Sequence, residues 1–483
     1  MQNIRYKKFN GLLFFSILLI TYSCTKEDDP ATQEAQKYNT VNKWIQSNMN
    51  TMYYWNTQMP AKQDLTLNPS DFFKSLLYTK EDHFSYIAED YAELTNLLSG
   101  VQMEAGYDFT LFRKDSVSQD VIGVINYIKP NSPASLTDLK RGDIFFTIND
   151  EQLTLDNYLD LVNEIYSPHV LGVYRNGNIQ PLSLNVVKYE ENPVFLDSIY
   201  EINGKKIAYL IYNFFATDDG DYSYTYLKEL NDIFGKFKQA NVNELVLDLR
   251  FDTGGDAAVA TALADMISGR KSSELFCTYE YNSIVDSELK KEMGDNYNKT
   301  FFDDHLAIQD KDGNVIDQSI PINKLTGLQR FYVLTSQRTA SASELIINGL
   351  KPYMNVILVG EKTYGKNVGM WFLYEQDPVK QKDNRWGILP IVFKIFNSKN
   401  QSDYSNGFNA DIEVDEYLNP LLPLGDTHES LFEAALIDMG VQSANTLRNA
   451  EERFNYKPLI TSADRTPVRR NIIIPQRRST AGQ

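Results

Sequence analysis

Ser341 and Lys366 are the two side chains in this sequence best placed to do chemistry together. A serine hydroxyl becomes a nucleophile when a base takes its proton, and a lysine acts as that base only when apolar surroundings keep it neutral. Residues 331–335 form a short apolar run that reads as a strand, and 336–340 are small and polar, a loop. From Ser341 onward the spacing is helical, with Leu345, Ile346 and Leu350 apolar, and Pro352 and Asn355 end the helix. Residues 356–359 read as a second buried strand, and the loop after it carries Gly360, Gly365 and Lys366. The serine thus stands at a strand-to-helix turn, where the free N–H groups of the helix amino end can stabilise an oxyanion. The lysine follows the next strand and returns to the same end of the sheet. Ser343 is a rival nucleophile that residue chemistry does not separate from Ser341. The plain alternative for both serines is a helix cap, which Ser and Thr favour, with a solvated lysine nearby.

A second strand-to-helix turn precedes this one. Residues 243–249 read as an apolar strand running into Arg250-Phe-Asp-Thr-Gly254-Gly255-Asp256, and 257–268 as a helix with Gly269 just past its end. The glycine pair allows close backbone approach, although alone it is simply a tight turn. Before it, 206–214 read as a strand and 221–240 as an amphipathic helix with Leu227, Leu230, Phe234 and Phe237 on one face. Strands alternating with helices predict an α/β sheet with parallel portions and crossover helices.

Thr-Ala-Ser341-Ala-Ser-Glu344 followed by Val-Gly-Glu361-Lys-Thr-Tyr-Gly365-Lys366 resembles the core of the C-terminal processing (tail-specific) peptidases. The 25-residue separation of Ser341 and Lys366 fits that family, and Leu247-Asp-Leu-Arg250 with its glycine pair is similar to the family's other signature. The resemblance covers roughly residues 98–435. It implies that Ser341 attacks the scissile carbonyl, that Lys366 is the base, and that an N–H of Gly254 or Gly255 joins that of Ala342 in the oxyanion hole. The implied protein is a serine endopeptidase acting on polypeptides, with no metal or cofactor. The implied fold is a mixed α+β multidomain one: a small N-terminal helical domain, a PDZ-like domain and a catalytic βα sheet domain with a crotonase/ClpP-like core.

Many relatives carry a glutamine four residues after the lysine, where this chain has Met370. That departure leaves open a catalytically weak or inactive peptide-binding protein on the same fold, or a hydrolase of another acyl substrate. The four histidines, at 83, 169, 305 and 428, lie far apart and none makes HExxH. This argues against a metallopeptidase and against a Ser-His-Asp triad. His83 is read as structural.

Length and composition frame these motifs. A chain of 483 residues with 42% hydrophobic residues builds several cores, and a net charge of −17 argues against nucleic acid as a partner. Residues 1–24 have a basic start (Arg5, Lys7, Lys8), an apolar stretch at 12–20, and then Thr-Tyr-Ser-Cys24. This resembles a lipoprotein signal. It implies lipid on Cys24 and anchoring to the outer membrane of the cell envelope, on either face. Residues 25–37 read as a flexible tether, and 38–97 as the helical domain, with Val41, Trp44, Ile45 and Met49 and later Phe72, Phe73, Leu76 and Leu77 on apolar faces.

Residues 98–190 resemble a PDZ domain, through the strand at 121–128, the Ser132-Pro-Ala turn and Arg-Gly-Asp143-Ile. Asn176-Gly177 marks a hairpin between two strands of this block. PDZ grooves take an extended peptide as an added strand and hold its terminal carboxylate with backbone N–H groups. The corresponding loop is Gly106-Tyr107-Asp108-Phe109, where Asp108 sits oddly beside a carboxylate; the plain alternative is a packing module. Residues 191–440 form the catalytic domain, with 271–327 as an insertion that could cover the cleft and Asp312-Gly313 at a hairpin tip. Residues 441–483 are a basic extension, expected to be partly mobile. With lipid on Cys24 no disulfide remains, and Cys277 is read as a small buried apolar residue.

Overall fold

The computed structural model describes residues 30–310, 314–443, 458–465 and 473–474. The signal segment, Cys24, most of the tether's first half and the expected hairpin tip at 312–313 lie outside them.

The catalytic domain is built on a six-stranded sheet in the order Val194–Ile202, Lys205–Tyr212, Glu244–Asp248, Arg330–Thr335, Asn355–Gly360, Ile412–Glu413. The first pair is antiparallel and every later pair parallel. The inner strands are nearly continuous apolar runs because both faces are covered. Side chains alternate between the faces. Ala208, Leu210 and Tyr212 join the core under helices Thr225–Ala240, Ala257–Ser268 and Ala342–Leu350. Ile207, Tyr209 and Ile211 meet helix Ser430–Asp438 on the opposite side.

The presumed insertion is structural. Its strand Leu275–Tyr281 sits inside a second, five-stranded sheet between Lys299–Phe301 and Ile391–Asn397, followed by Val368–Trp371. Cys277 is fully buried there, as its small apolar character suggests. The arms of the expected hairpin, Ile308–Gln309 and Val315–Asp317, pair antiparallel.

The N-terminal block has no core of its own. Ile45, Met49, Phe72, Phe73 and Leu76 belong to the same buried cluster as the catalytic helices. Its strand Tyr86–Ala88 pairs antiparallel with Gly387–Leu389, three hundred residues on. Its first helix, Pro30–Met52, begins inside the stretch read as a tether, so residues 30–37 are helical. Helix Pro69–Leu76 is capped by Asn68, which accepts from Ser70 N–H at 3.0 Å.

The middle domain is a sheet in the order Tyr107–Arg113, Val121–Ile128, Ile144–Ile148, His169–Arg175, Asn178–Leu184, with helix Tyr158–Glu164 packed on it. It has its own core, including Phe109, Leu111, Ile125, Leu161 and Leu171. The last two strands form the hairpin expected around Asn176-Gly177. The basic extension, expected to be partly mobile, contributes strands in two of its described parts, 458–465 and 473–474. Pro458–Thr461 adds to the outer edge of this sheet beside Tyr107–Arg113, and Ile473–Ile474 adds to Val368–Trp371 of the five-stranded sheet.

Candidate active site

Three loops meet at the carboxyl end of the parallel strands, and short polar contacts lock them together. The loop after Arg330–Thr335 sends Ser336 Oγ to the carbonyl of Arg250 at 2.6 Å and Thr339 Oγ1 to that of Leu249 at 2.8 Å. The loop after Asn355–Gly360 sends Tyr364 N–H to the carbonyl of Thr339 at 2.9 Å. Small hydroxyl residues are needed here because they reach backbone carbonyls of adjacent turns without bulk.

Ser341 sits where the strand-side loop becomes helix Ala342–Leu350, with φ 63° and ψ −109°. A left-handed φ on a non-glycine residue costs about 1–3 kcal/mol and persists only where the surroundings enforce it. The enforcing contact is Glu344, whose carboxylate accepts the Ser341 N–H at 2.9 Å. The same carboxylate accepts Thr363 Oγ1 at 2.6 Å and the N–H groups of Gly365 and Lys366, each at 2.8 Å. One buried group therefore fixes both the serine turn and the lysine loop. Burial raises the pKa of Glu344 above the ordinary carboxyl range, and the four donors offset this only in part.

Ser341 and Lys366 are both fully buried. The Ser341 hydroxyl makes no hydrogen bond among the described residues, so the serine–lysine contact is not closed in this state. Lys366 Nζ lies 4.0 Å from Met370 Sδ and 4.8 Å from the centre of the Phe84 ring. Met370 is fully buried in Val368–Trp371, where the sulfur is at most a weak acceptor. Phe84 arrives from the N-terminal block. Asp82 holds it by accepting the Phe84 N–H at 3.0 Å, and is itself held by Tyr53 OH at 2.8 Å.

The glycine turn closes the third side. Gly254 has φ 106°, and a Cβ built there would stand 2.7 Å from Ser341 Cβ and 3.2 Å from Ala342 N. Only glycine allows this approach. The turn lies against Ser341 and the first amide of its helix. Of the two glycines, Gly254 has its N–H engaged by Asp252 Oδ1 at 2.7 Å. Burial holds the pKa of Asp252 well above the carboxyl range. Ser343, the rival serine, is buried one residue further along the helix, and its N–H is bound to Ala340 O at 3.2 Å.

Residues 206–414 match the model of peptidase family S41, and residues 40–86 match that of the peptidase S41 N-terminal domain, together just over half of the chain. The chain belongs to peptidase family S41. S41 peptidases are serine proteases, so a hydrolase acting on polypeptides is the activity of the family. The crystal structure of an S41-type protease from Bacteroides fragilis NCTC 9343 is 28% identical with a TM-score of 0.65, covering 83% of this chain and 98% of that one. The photosystem II D1 C-terminal processing protease is 16% identical with a TM-score of 0.44, covering 82% of this chain and 97% of that one. No curated protein sequence matches the chain.

Within this S41 peptidase the fold brings Ser341, Ala342, Gly254, Gly255 and Lys366 to one place. The loop Gly106-Tyr107-Asp108-Phe109 lies apart from them in the middle domain, and connects through Arg338. That side chain stands three residues before Ser341 and donates to both oxygens of Asp108, at 2.7 and 2.9 Å. His83, read as structural, is exposed. Glu344, Phe84 and Arg338 carry no role in the sequence reading. Glu344 was visible as a capping acid three residues into a helix. Nothing local marks the other two.

Proposed function

We propose that this protein is a serine endopeptidase of the C-terminal processing type, with Ser341 as nucleophile and Lys366 as general base. The observation that carries this reading is the single Glu344 carboxylate that binds the amides of both Ser341 and Lys366. A cap of ordinary use would not tie its helix to a fully buried lysine on another loop.

In the working state Lys366 Nζ takes the proton of Ser341 Oγ as the hydroxyl attacks the scissile carbonyl. The negative oxygen is received by the Ala342 N–H, at the head of its helix, and by the glycine turn, with Gly255 favoured because Gly254 already donates to Asp252. Lys366 then passes the proton to the leaving amine, and water releases the acyl group by the reverse sequence. Both side chains are buried, so the cleft must open before a polypeptide enters. Export and a lipid anchor on Cys24 at the outer membrane complete the reading and rest on the sequence of residues 1–24 alone. Cys24→Ala should move the protein from the membrane to the soluble fraction.

The test of the chemistry is cleavage of an unfolded polypeptide such as casein. Ser341→Ala and Lys366→Met should each abolish turnover, while Ser343→Ala should keep most of it. Unchanged turnover in Ser341→Ala sinks the proposal. A second reading, a peptide-binding protein of little activity, draws on the unbonded Ser341 hydroxyl and on Met370 beside the lysine. It predicts that the intact protein cleaves nothing yet retains peptides.

A further inference from the structure

The tail strand Pro458–Thr461 runs antiparallel to Tyr107–Arg113, with Pro458 opposite Phe112, Ile460 opposite Leu111 and Thr461 opposite Thr110. Leu459 and Ile460 pack on the core of the middle domain. Thr461 ends the strand, donating its N–H and hydroxyl to Asp464 Oδ2 at 2.7 and 3.0 Å. The next residue, Ser462, donates its hydroxyl to Asp108.

Asp108 is a buried carboxylate that also receives Arg338 and, at 2.6 Å, the Asn126 amide. Burial opposes its charge, but Arg338 more than offsets this and holds its pKa below the ordinary range. The place where the sequence suggested capture of a peptide carboxylate is therefore occupied by a negative charge. A terminal carboxylate is repelled there, whereas a hydroxyl is a good donor to it. The resident segment is also not a chain end, since 21 residues follow Ser462.

We propose that the edge of Tyr107–Arg113 is a docking surface for an internal, extended stretch of polypeptide. It takes two apolar residues followed by hydroxyl residues, the last read by Asp108, and the chain's own residues 458–465 fill it in cis until such a stretch displaces them. Calling the displacing polypeptide a substrate rests on the peptidase reading; the docking does not. Strand addition supplies backbone hydrogen bonds, and the alternate side chains supply selectivity. Further along, backbone 473–474 pairs in parallel with Met370–Trp371, the strand entered from Lys366. The same tail thus lies beside the catalytic strand, and an arriving polypeptide meets it at both edges.

The test is fluorescence anisotropy with a labelled peptide of residues 457–465, acetylated and amidated, titrated into the full-length Ser341→Ala protein, which cannot cleave it. Introducing Leu459→Asp and Ile460→Asp into that full-length chain should tighten peptide binding by about tenfold or more, because a tethered competitor acts at effective millimolar concentration. Replacing the peptide's serine by alanine should weaken it. Equal binding by the two proteins, or a stronger hold on a peptide that ends in a free carboxylate at the serine, overturns the proposal. Hydrogen exchange on the unsubstituted full-length protein needs no variant to fold: the amides of residues 459–461 should be protected, and excess capped peptide should remove that protection. No protection of those amides overturns the proposal too. Casein turnover tests the peptidase reading separately, so the two fail independently.

Discussion

Glu344 and Glu429 are both fully enclosed glutamates, and they behave in opposite ways. Among the described residues, Glu344 has four hydrogen-bond donors and no cation bonded to its carboxylate. Glu429 sits at the junction of the middle and catalytic domains, gripped by both ends of the Arg250 guanidinium at 2.6 and 2.8 Å. Arg250 also binds Asp248 and Glu416, and Arg141 of the middle domain reaches Glu416 and Glu429. Burial pushes both glutamates toward the neutral form. At Glu429 the arginines win, and its pKa is brought down to about 2. At Glu344 burial wins, because neutral donors stabilise a charge less than a guanidinium does. The junction is built from paired charges that resist separation; the Ser341 and Lys366 loops are set by an acid that orients their amides and, among the described residues, has no cation bonded to it.

The largest effect should come from breaking the junction. Glu429→Ala removes one of three acids around the buried Arg250, leaving Asp248 and Glu416, and should cost about 3 kcal/mol, the lower end of the range for breaking a buried ion pair, read as a lower urea midpoint. Replacing the acid that sets the loops should instead cost activity. Glu344→Gln places an amide N–H₂ where donors already point, so kcat on casein should fall by about 10²-fold, the usual result of a small misplacement of reacting groups. Loss of stability without loss of kcat would refute the division of roles.

The pH dependence sharpens the contrast. Glu429 is depressed from 4.5 to about 2, so its contribution is present above pH 4.5 and is lost as pH falls toward 2. Glu344 is raised, so the native state keeps a proton that the unfolded chain has released, and its contribution falls as pH rises from 4.5 through its native value. Melting temperatures measured between pH 3 and 8 should show Glu429→Gln flattening the acid limb and Glu344→Gln the opposite one. The smallest effect is expected from Met370→Gln, which puts an amide oxygen in place of the thioether that lies 4.0 Å from Lys366 Nζ. Its change in kcat should stay within about tenfold, below the 10²–10⁴ of general acid–base catalysis itself. A larger gain would mean that the methionine, not the closed cleft, holds this enzyme down.

The pieces legible in the sequence are those whose chemistry is local. Ser341 and Gly254 each sit at a strand-to-helix turn that apolar runs and small residues announce, and the parallel sheet follows from strand–helix alternation. Lys366 needed the family resemblance, since a lysine after a strand is ordinarily solvated. Phe84 was hidden because its contact with Lys366 joins segments 282 residues apart. Asp108 stands oddly in the loop read as a carboxylate site, and its partners, Arg338 and Ser462, come from distant segments that no local pattern connects. The tail was read from its charge alone. Charge says nothing of a short apolar run such as Leu459-Ile460 finding a sheet edge.

The pairing of Tyr86–Ala88 with Gly387–Leu389 bears on how the protein is made. A ribosome must release most of the chain before that contact can form, and only then does the segment carrying Phe84 settle against Lys366. The surroundings of Lys366 are thus completed only near the end of synthesis.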